Sequence, residues 1–142
     1  MLEIKRFSFD EKTIAEQAFE VRRIVFVDEQ KVSREEEFDE FEKSSHHYLA
    51  LNNNQPVGTA RWRKTNNGIK LERFAVLQSQ RKNGIGKAIL DEVLKDVKNQ
   101  EQKIYLHAQL SALDFYKKAG FIEEGEHFWE ANIEHVKMVF PA

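Results

Sequence analysis

Ile85, Ile89, Val93 and Val97 recur every four residues, and Leu90 and Leu94 flank them on the same side. This spacing predicts an amphipathic helix over Gly84 to Lys98, the most regular segment of the chain. Ile14, Ala18, Val21 and Val25 repeat the pattern, predicting a helix that Asp10 caps and that runs through Phe26. Apolar runs and alternation between turn signals predict strands at Leu2–Phe7, His47–Asn52, Val57–Lys64, Ile69–Leu77, Lys103–Gln109, Phe121–His127 and Glu134–Phe140. Asn52-Asn53-Asn54-Gln55-Pro56 is a turn signal, and Asn67-Gly68 reads as a two-residue hairpin turn into the fourth strand. A short helix is expected from a Ser111 cap through Ala119, with Gly120 in the position after its end. The acidic stretch Ser33–Lys43 reads as a surface helix or loop. The strand–helix–strand order around Gly84 implies a locally parallel pair inside a mixed sheet.

Composition narrows the class. The 142 residues fit one domain spanning 1–142 with a core of its own. Charged residues at 32% and hydrophobic ones at 41% suit a globular chain. A net charge of −2 supplies no basic field for nucleic acid. No apolar run approaches the roughly 20 residues that span a bilayer, and Met1-Leu2-Glu3-Ile4-Lys5 has no signal-peptide pattern. A cytoplasmic protein without a membrane partner is expected. The chain has no cysteine, so a thiol nucleophile is excluded and a metal would need histidines and carboxylates. His46 and His47 are adjacent in a strand and point to opposite faces, so no metal site is expected.

The candidate chemistry begins at Arg81-Lys82-Asn83-Gly84-Ile85-Gly86, between a predicted strand and the strongest helix. A helix start made of glycines leaves backbone N–H groups free at the positive end of the dipole, which suits a phosphate or pyrophosphate. Glycine lets the backbone approach the ligand, and Asn83 tolerates a tight turn. Arg81, Lys82 and Lys87 add positive charge. The Lys-Ser/Thr of nucleoside triphosphatases is missing, as is the first glycine of the dinucleotide fingerprint.

These residues resemble the GNAT superfamily of N-acetyltransferases. Leu71-Glu72-Arg73-Phe74-Ala75-Val76-Leu77 followed by Arg81-x-x-Gly84-x-Gly86 is similar to its acetyl-CoA motif. Ala112-x-x-Phe115-Tyr116-x-Lys118-x-Gly120-Phe121 is similar to its second motif. Val21-Arg22-x-x-Val25-Phe26-Val27-x-Glu29-Gln30, Leu106-His107-Ala108-Gln109 and Glu134-His135-Val136-x-Met138 resemble the ElaA/YjcF-like branch of small bacterial members. The resemblance implies an α/β (α+β) fold with a mixed, mostly antiparallel sheet of six to seven strands and about four helices. Its two central strands, here Leu71–Leu77 and Lys103–Gln109, would splay apart. Acetyl-CoA would lie in the gap, with its pantetheine on the strand edge at Phe74, Ala75 and Val76. Its pyrophosphate would sit on the amides of Arg81, Lys82, Asn83, Gly84, Ile85, Gly86 and Lys87.

By the same resemblance, Tyr116 is the acid that protonates the departing thiolate; its alternative is to pack the short helix onto the sheet. An acceptor amine also needs a base. Glu72 on the donor strand, Glu29 after the first helix and His107 across the splay are the candidates. The alternative readings are a surface carboxylate, a helix-end charge and a structural histidine. Gln109 shares the face of His107 by period-two alternation. Gln30, Gln109 and His135, with Glu29, are expected on the acceptor side, and Glu130 is a weaker candidate there. The acidic run Glu35-Glu36-Glu37, Asp39, Glu40 and Glu42 reads as a solvated face, or as an attractor for a cationic amine. Trp62 is expected in the core, whereas Phe128 and Trp129 would line an acceptor pocket or a dimer surface. Together these features predict acetyl transfer from acetyl-CoA to a small-molecule or protein amine by direct attack, in a chain for which a homodimer is considered. The competing reading is a catalytically silent acyl-CoA-binding sensor with the same fold.

Overall fold

The computed structural model describes residues 1–141. Seven strands form one sheet in the order β1-β2-β3-β4-β5-β7-β6. They are β1 (Leu2–Phe7), β2 (His46–Asn52), β3 (Gln55–Thr65), β4 (Gly68–Val76), β5 (Ile104–Gln109), β6 (Ile122–Glu130) and β7 (Ile133–Phe140). Four α-helices accompany them: α1 (Lys12–Arg22), α2 (Arg34–Glu37), α3 (Ile85–Val97) and α4 (Leu113–Lys118). Every strand pair is antiparallel except β4 with β5. This is the mixed, mostly antiparallel architecture that the sequence predicts.

The apolar stripe of α3 explains its place. Ile85, Ile89, Leu90, Val93, Leu94 and Val97 are buried against Tyr48, Ala60, Trp62, Ile69 and Leu71 on one face of the sheet. On the other face, Ala15 and Ala18 of α1 pack on Phe7, Leu49 and Leu51. At about 25 cal/mol per Å2 of apolar surface removed from water, these two layers supply the main favourable contribution to folding. Among the described residues, no helix is long and apolar enough to cross a membrane.

Local signals went astray at five places. Asp10 does not cap α1; Glu11 precedes it and accepts from the Ser8 N–H through its carboxylate at 2.8 Å. The helical path does not stop at Phe26 but continues as a π-helical segment, Arg23–Glu29. The hairpin between β3 and β4 turns on Asn66-Asn67, because Thr65 pairs with Gly68, which already opens β4. Ser111 makes no cap for α4; a 3-10 turn over Leu110–Ala112 leads into it.

The fifth departure is the acidic run. Ser33 caps α2 by accepting from the Glu36 N–H at 3.2 Å, while Glu36 returns to the Ser33 hydroxyl. That turn aims Glu37 and, farther on, Glu42 inward, where both are buried. Arg22, 2% exposed, donates to Glu37 Oε2 at 2.8 Å and to both oxygens of Glu42. Arg61, fully buried on β3, reaches Asp39 through both terminal nitrogens, at 2.9 and 2.8 Å, and Glu72 at 2.9 Å. Glu37, Asp39 and Glu42 are therefore counter-ions for arginines, whereas Glu35, Glu36 and Glu40 remain exposed as the solvated part of the run.

Removing one member of such a network strands the others without water, which costs about 3–5 kcal/mol. Arg61→Ala should accordingly lower the melting temperature by roughly 10 °C or more. A calorimetric scan showing a shift of only a degree or two would mean that the ion pairs are dispensable.

Candidate active site

The parallel pairing of β4 and β5 covers only Ile69 with Ile104, Lys70 with Tyr105, and Leu71 with Leu106. Beyond Leu71 the strands part, and a cleft of about 900 Å3 opens between them. The divergence begins where β4 carries one residue too many. Thr59 pairs with Ala75 and Arg61 with Glu72, so Ala60 alone faces both Arg73 and Phe74. Arg73 takes φ +59°, the left-handed backbone of a bulge. Leu77 N–H donates to Val57 O at 2.9 Å, toward β3. By alternation, the N–H and C=O of Val76 point the other way, into the cleft. Phe74, Ala75 and Val76 line it, as expected, and the sequence carried no signal for the bulge that turns them.

The glycine loop follows directly on this cleft: Arg81 lines it, Lys82 to Lys87 do not, and Gly86 backs onto Phe115 and Val76, which do. Positive φ falls on Lys82 (+69°) and Gly84 (+79°), on either side of Asn83. Ala88 is the first helical residue whose N–H finds a backbone acceptor, Gly84 O at 3.0 Å. The N–H groups of Lys82, Asn83, Gly84, Ile85, Gly86 and Lys87 have none among the described residues. A side chain at Gly86 would place its Cβ 3.4 Å from the Phe115 ring, so this turn packs directly on α4. The Ile85 side chain is buried in the core and offers the site only its main chain. Lys87 pairs with Asp91 at 2.9 Å.

Arg81 is engaged in two directions. Its Nε donates to Val76 O at 2.9 Å, and its two terminal nitrogens grip the Glu29 carboxylate, both at 2.7 Å. The hydrogen bonds from Arg81 lower the Glu29 carboxyl below its usual range. Gln30, one residue on, accepts from Gln109 Nε2 at 2.8 Å, so the end of the π-helical segment reaches both walls of the cleft.

Tyr116 lies deep between these walls. Its ring meets Phe74 edge-on at 6.1 Å and contacts Phe115 and Phe121. Its hydroxyl has no hydrogen-bond partner among the described residues, and burial pushes the phenol well above its usual range. Across the splay, His107 Nδ1 lies 3.1 Å from Glu130 Oε2, and Phe128 stands edge-on to the imidazole at 4.9 Å. The hydrogen bond from His107 lowers the Glu130 carboxyl. Glu130, ranked low from sequence, is brought there by the two-residue hairpin in which Glu130 pairs with Ile133. His135 also lines the cleft, with Nδ1 2.7 Å from Ile133 O and Nε2 3.9 Å from Glu130 Oε1. Trp129 is 69% exposed and does not line the cleft.

Glu72 does face the cleft, but its surroundings unfit it as a base. Burial alone would raise its carboxyl; the charge of Arg61, the hydrogen bond from Arg63 and the charge of Lys70 outweigh that and hold it at about 2. A carboxylate so strongly stabilised has little affinity for a proton near neutral pH. Arg61 and Arg63 escaped the sequence reading because their partner lies on the neighbouring strand, and Lys70, two residues before Glu72 on β4, was not weighed as its counter-ion. His46 and His47 sit on opposite faces: His46 stacks on the buried Trp62 at 4.0 Å, and His47 Nε2 lies 2.8 Å from Glu42 O.

A family model described as an acetyltransferase (GNAT) domain matches residues 11–141. The uncharacterized N-acetyltransferase YjcF of Bacillus subtilis (strain 168) is 40% identical over 124 residues, covering 86% of this chain and 89% of its own. The crystal structure of Escherichia coli ElaA superposes with a TM-score of 0.89 at 23% identity, over 99% of this chain and 100% of that one. A crystal structure of an aminoglycoside 6'-N-acetyltransferase complexed with coenzyme A superposes with a TM-score of 0.72 at 17% identity, over 96% of this chain and 95% of that one.

Asp39 is also held at about 2, where burial opposes, and the hydrogen bond and charge of Arg61 overcome, the loss of water. With folded values below the unfolded ones, Asp39 and Glu72 stabilise the protein above about pH 4. That contribution disappears as pH falls through about 2. Burial also lowers His46 and His47, so the melting temperature should decline gently as pH falls through about 6.5, where the unfolded chain takes up those protons, and drop steeply below about 4 as the carboxylates do. A curve with no steep drop between about pH 4 and 2 would contradict the carboxylate assignments.

Proposed function

The chain belongs to the GNAT acetyltransferase family and is an acyltransferase drawing on CoA; on that premise we propose that it moves acetyl from acetyl-CoA to a primary amine by direct attack. The observation that supports this most is the parted β4 edge. Val76 offers its N–H to a cleft that Tyr116 also lines, and the free amides from Lys82 to Lys87 follow directly on Arg81, which lines it too. The pyrophosphate of acetyl-CoA binds those amides, with Arg81 transferred to it from Glu29. Pantetheine lies along Phe74, Ala75 and Val76.

In the reaction the neutral amine nitrogen bonds to the thioester carbonyl carbon. The Val76 N–H polarises the carbonyl oxygen as negative charge gathers there. His107 takes the proton that the amine gives up, through Nε2, while Glu130 holds Nδ1–H and stabilises the imidazolium. The carbon–sulfur bond then breaks, and Tyr116 donates its proton to the departing thiolate. A phenol whose burial keeps it protonated is suited to that task. The products are the amide and CoA thiol. Glu72 has a different part, as the counter-ion of Arg61, Arg63 and Lys70. Gln30, Gln109 and His135 line the same cleft, and in this reading they contact the acceptor. A cytoplasmic setting and a small-molecule or protein amine as acceptor belong to the same proposal.

Titration with acetyl-CoA, followed by a screen of amines for released CoA thiol, tests it. Tyr116→Phe should lower kcat by about 100-fold and His107→Gln by about 10- to 100-fold, with acetyl-CoA affinity changed less than about threefold. Saturable acetyl-CoA binding without turnover on any amine, unaffected by Tyr116→Phe, would favour a silent acyl-CoA-binding module.

A further inference from the structure

Arg73 is the extra residue of the β4 bulge, and its conformation is one that glycine adopts freely and other residues rarely do. An arginine there needs a reason in its side chain. From the bulge it crosses the cleft to α2. Its Nη2 donates to Glu36 O at 3.1 Å and its Nε to Glu37 O at 3.3 Å, two carbonyls in the last turn of that helix. Nη2 also donates to Asp39 Oδ2 at 3.1 Å, and Nε lies 3.2 Å from Glu37 Oε2. Carbonyls in a last helical turn lack intrahelical donors, and a cation there also favours the dipole. Four contacts thus converge on one guanidinium, which is itself partly buried.

The two ends of this tether belong to different parts of the site. Glu35, Glu36 and Glu37 line the same cleft as His107 and Glu130. The other end is the residue immediately before Phe74, whose ring abuts Tyr116, and three before Val76. We propose that Arg73 is a positioning residue. Its guanidinium holds the α2 wall at a set distance from the β4 edge, so that an acceptor resting on that wall meets the thioester in reach of attack. This rests on the acetyl-transfer reading. The role differs from that of Arg61, which stitches the same segment to β3 and Glu72 from beneath.

The full chain carrying Arg73→Gly or Arg73→Lys provides the test. Glycine keeps the bulge backbone and loses the tether; lysine keeps a charge and loses the fork that reaches two carbonyls. In Arg73→Gly, hydrogen exchange at the Glu37 and Phe38 amides should accelerate about 10-fold or more, with exchange in α3 unchanged. Acetyl-CoA affinity by calorimetry should move less than about threefold, while kcat with the best amine of the screen falls about 10-fold or more. Arg73→Lys should recover part of both effects. Equal exchange in both variants and the wild type would overturn the proposal, as would an equal loss of kcat and acetyl-CoA affinity. If Arg73→Gly does not fold, Arg73→Lys carries the same comparison. A wild type without turnover would sink the acetyl-transfer reading, and the exchange rates would still decide whether Arg73 holds α2.

Discussion

Past Leu71 and Leu106, two strands of one sheet stop bonding to each other, and that separation is what the site depends on. A strand edge inside a protein normally has a neighbour, because an unpaired buried amide costs free energy. Here the edge of β4 stays open, with the Val76 N–H turned toward a cleft. The bulge at Arg73 bends β4 away, and the first turn of α3 adds unpaired amides directly after Arg81, which lines the cleft. A ligand with its own amides and an anionic end can satisfy both sets of groups by main-chain hydrogen bonds.

Holding an open cleft requires stiff walls. On one side, α3 buries six apolar residues against the sheet and so fixes the amides of its first turn. On the other, the wall is short and polar, and α2 alone has too little apolar surface to dock. Arg22, Arg61 and Arg73 hold it instead, by pairing with Glu37, Asp39 and Glu42. Buried ion pairs are a weak source of net stability but a demanding one geometrically. Their use beside the cleft fits a segment whose position matters more than its contribution to folding.

What could be read from the sequence was what is local. The α3 stripe, the Gly84-Ile85-Gly86 start and the strand positions are written in neighbouring residues; the splayed, mostly antiparallel fold was implied by the family resemblance. Tyr116 and the β4 edge became legible through motif resemblance. The remainder depends on partners far apart in the chain. Glu72 reads as a free carboxylate until Arg61 and Arg63 are seen beside it, one strand away. The acidic run reads as surface because Arg22 precedes it by a helical segment and a loop, and Arg61 and Arg73 follow it. Glu130 meets His107 only through the β6–β7 hairpin and the pairing of β7 with β5. No periodicity announces such meetings, and the bulge at Arg73 has no glycine to mark it.

The most direct measurement of the account is backbone amide NMR during titration with acetyl-CoA. The account predicts saturable shifts and new exchange protection at Phe74, Val76 and the amides of residues 82–87, with β1 and β2 unaffected. Saturation that leaves the Val76 amide and the glycine-loop amides unchanged would contradict it, since the open strand edge would then not be where the donor binds.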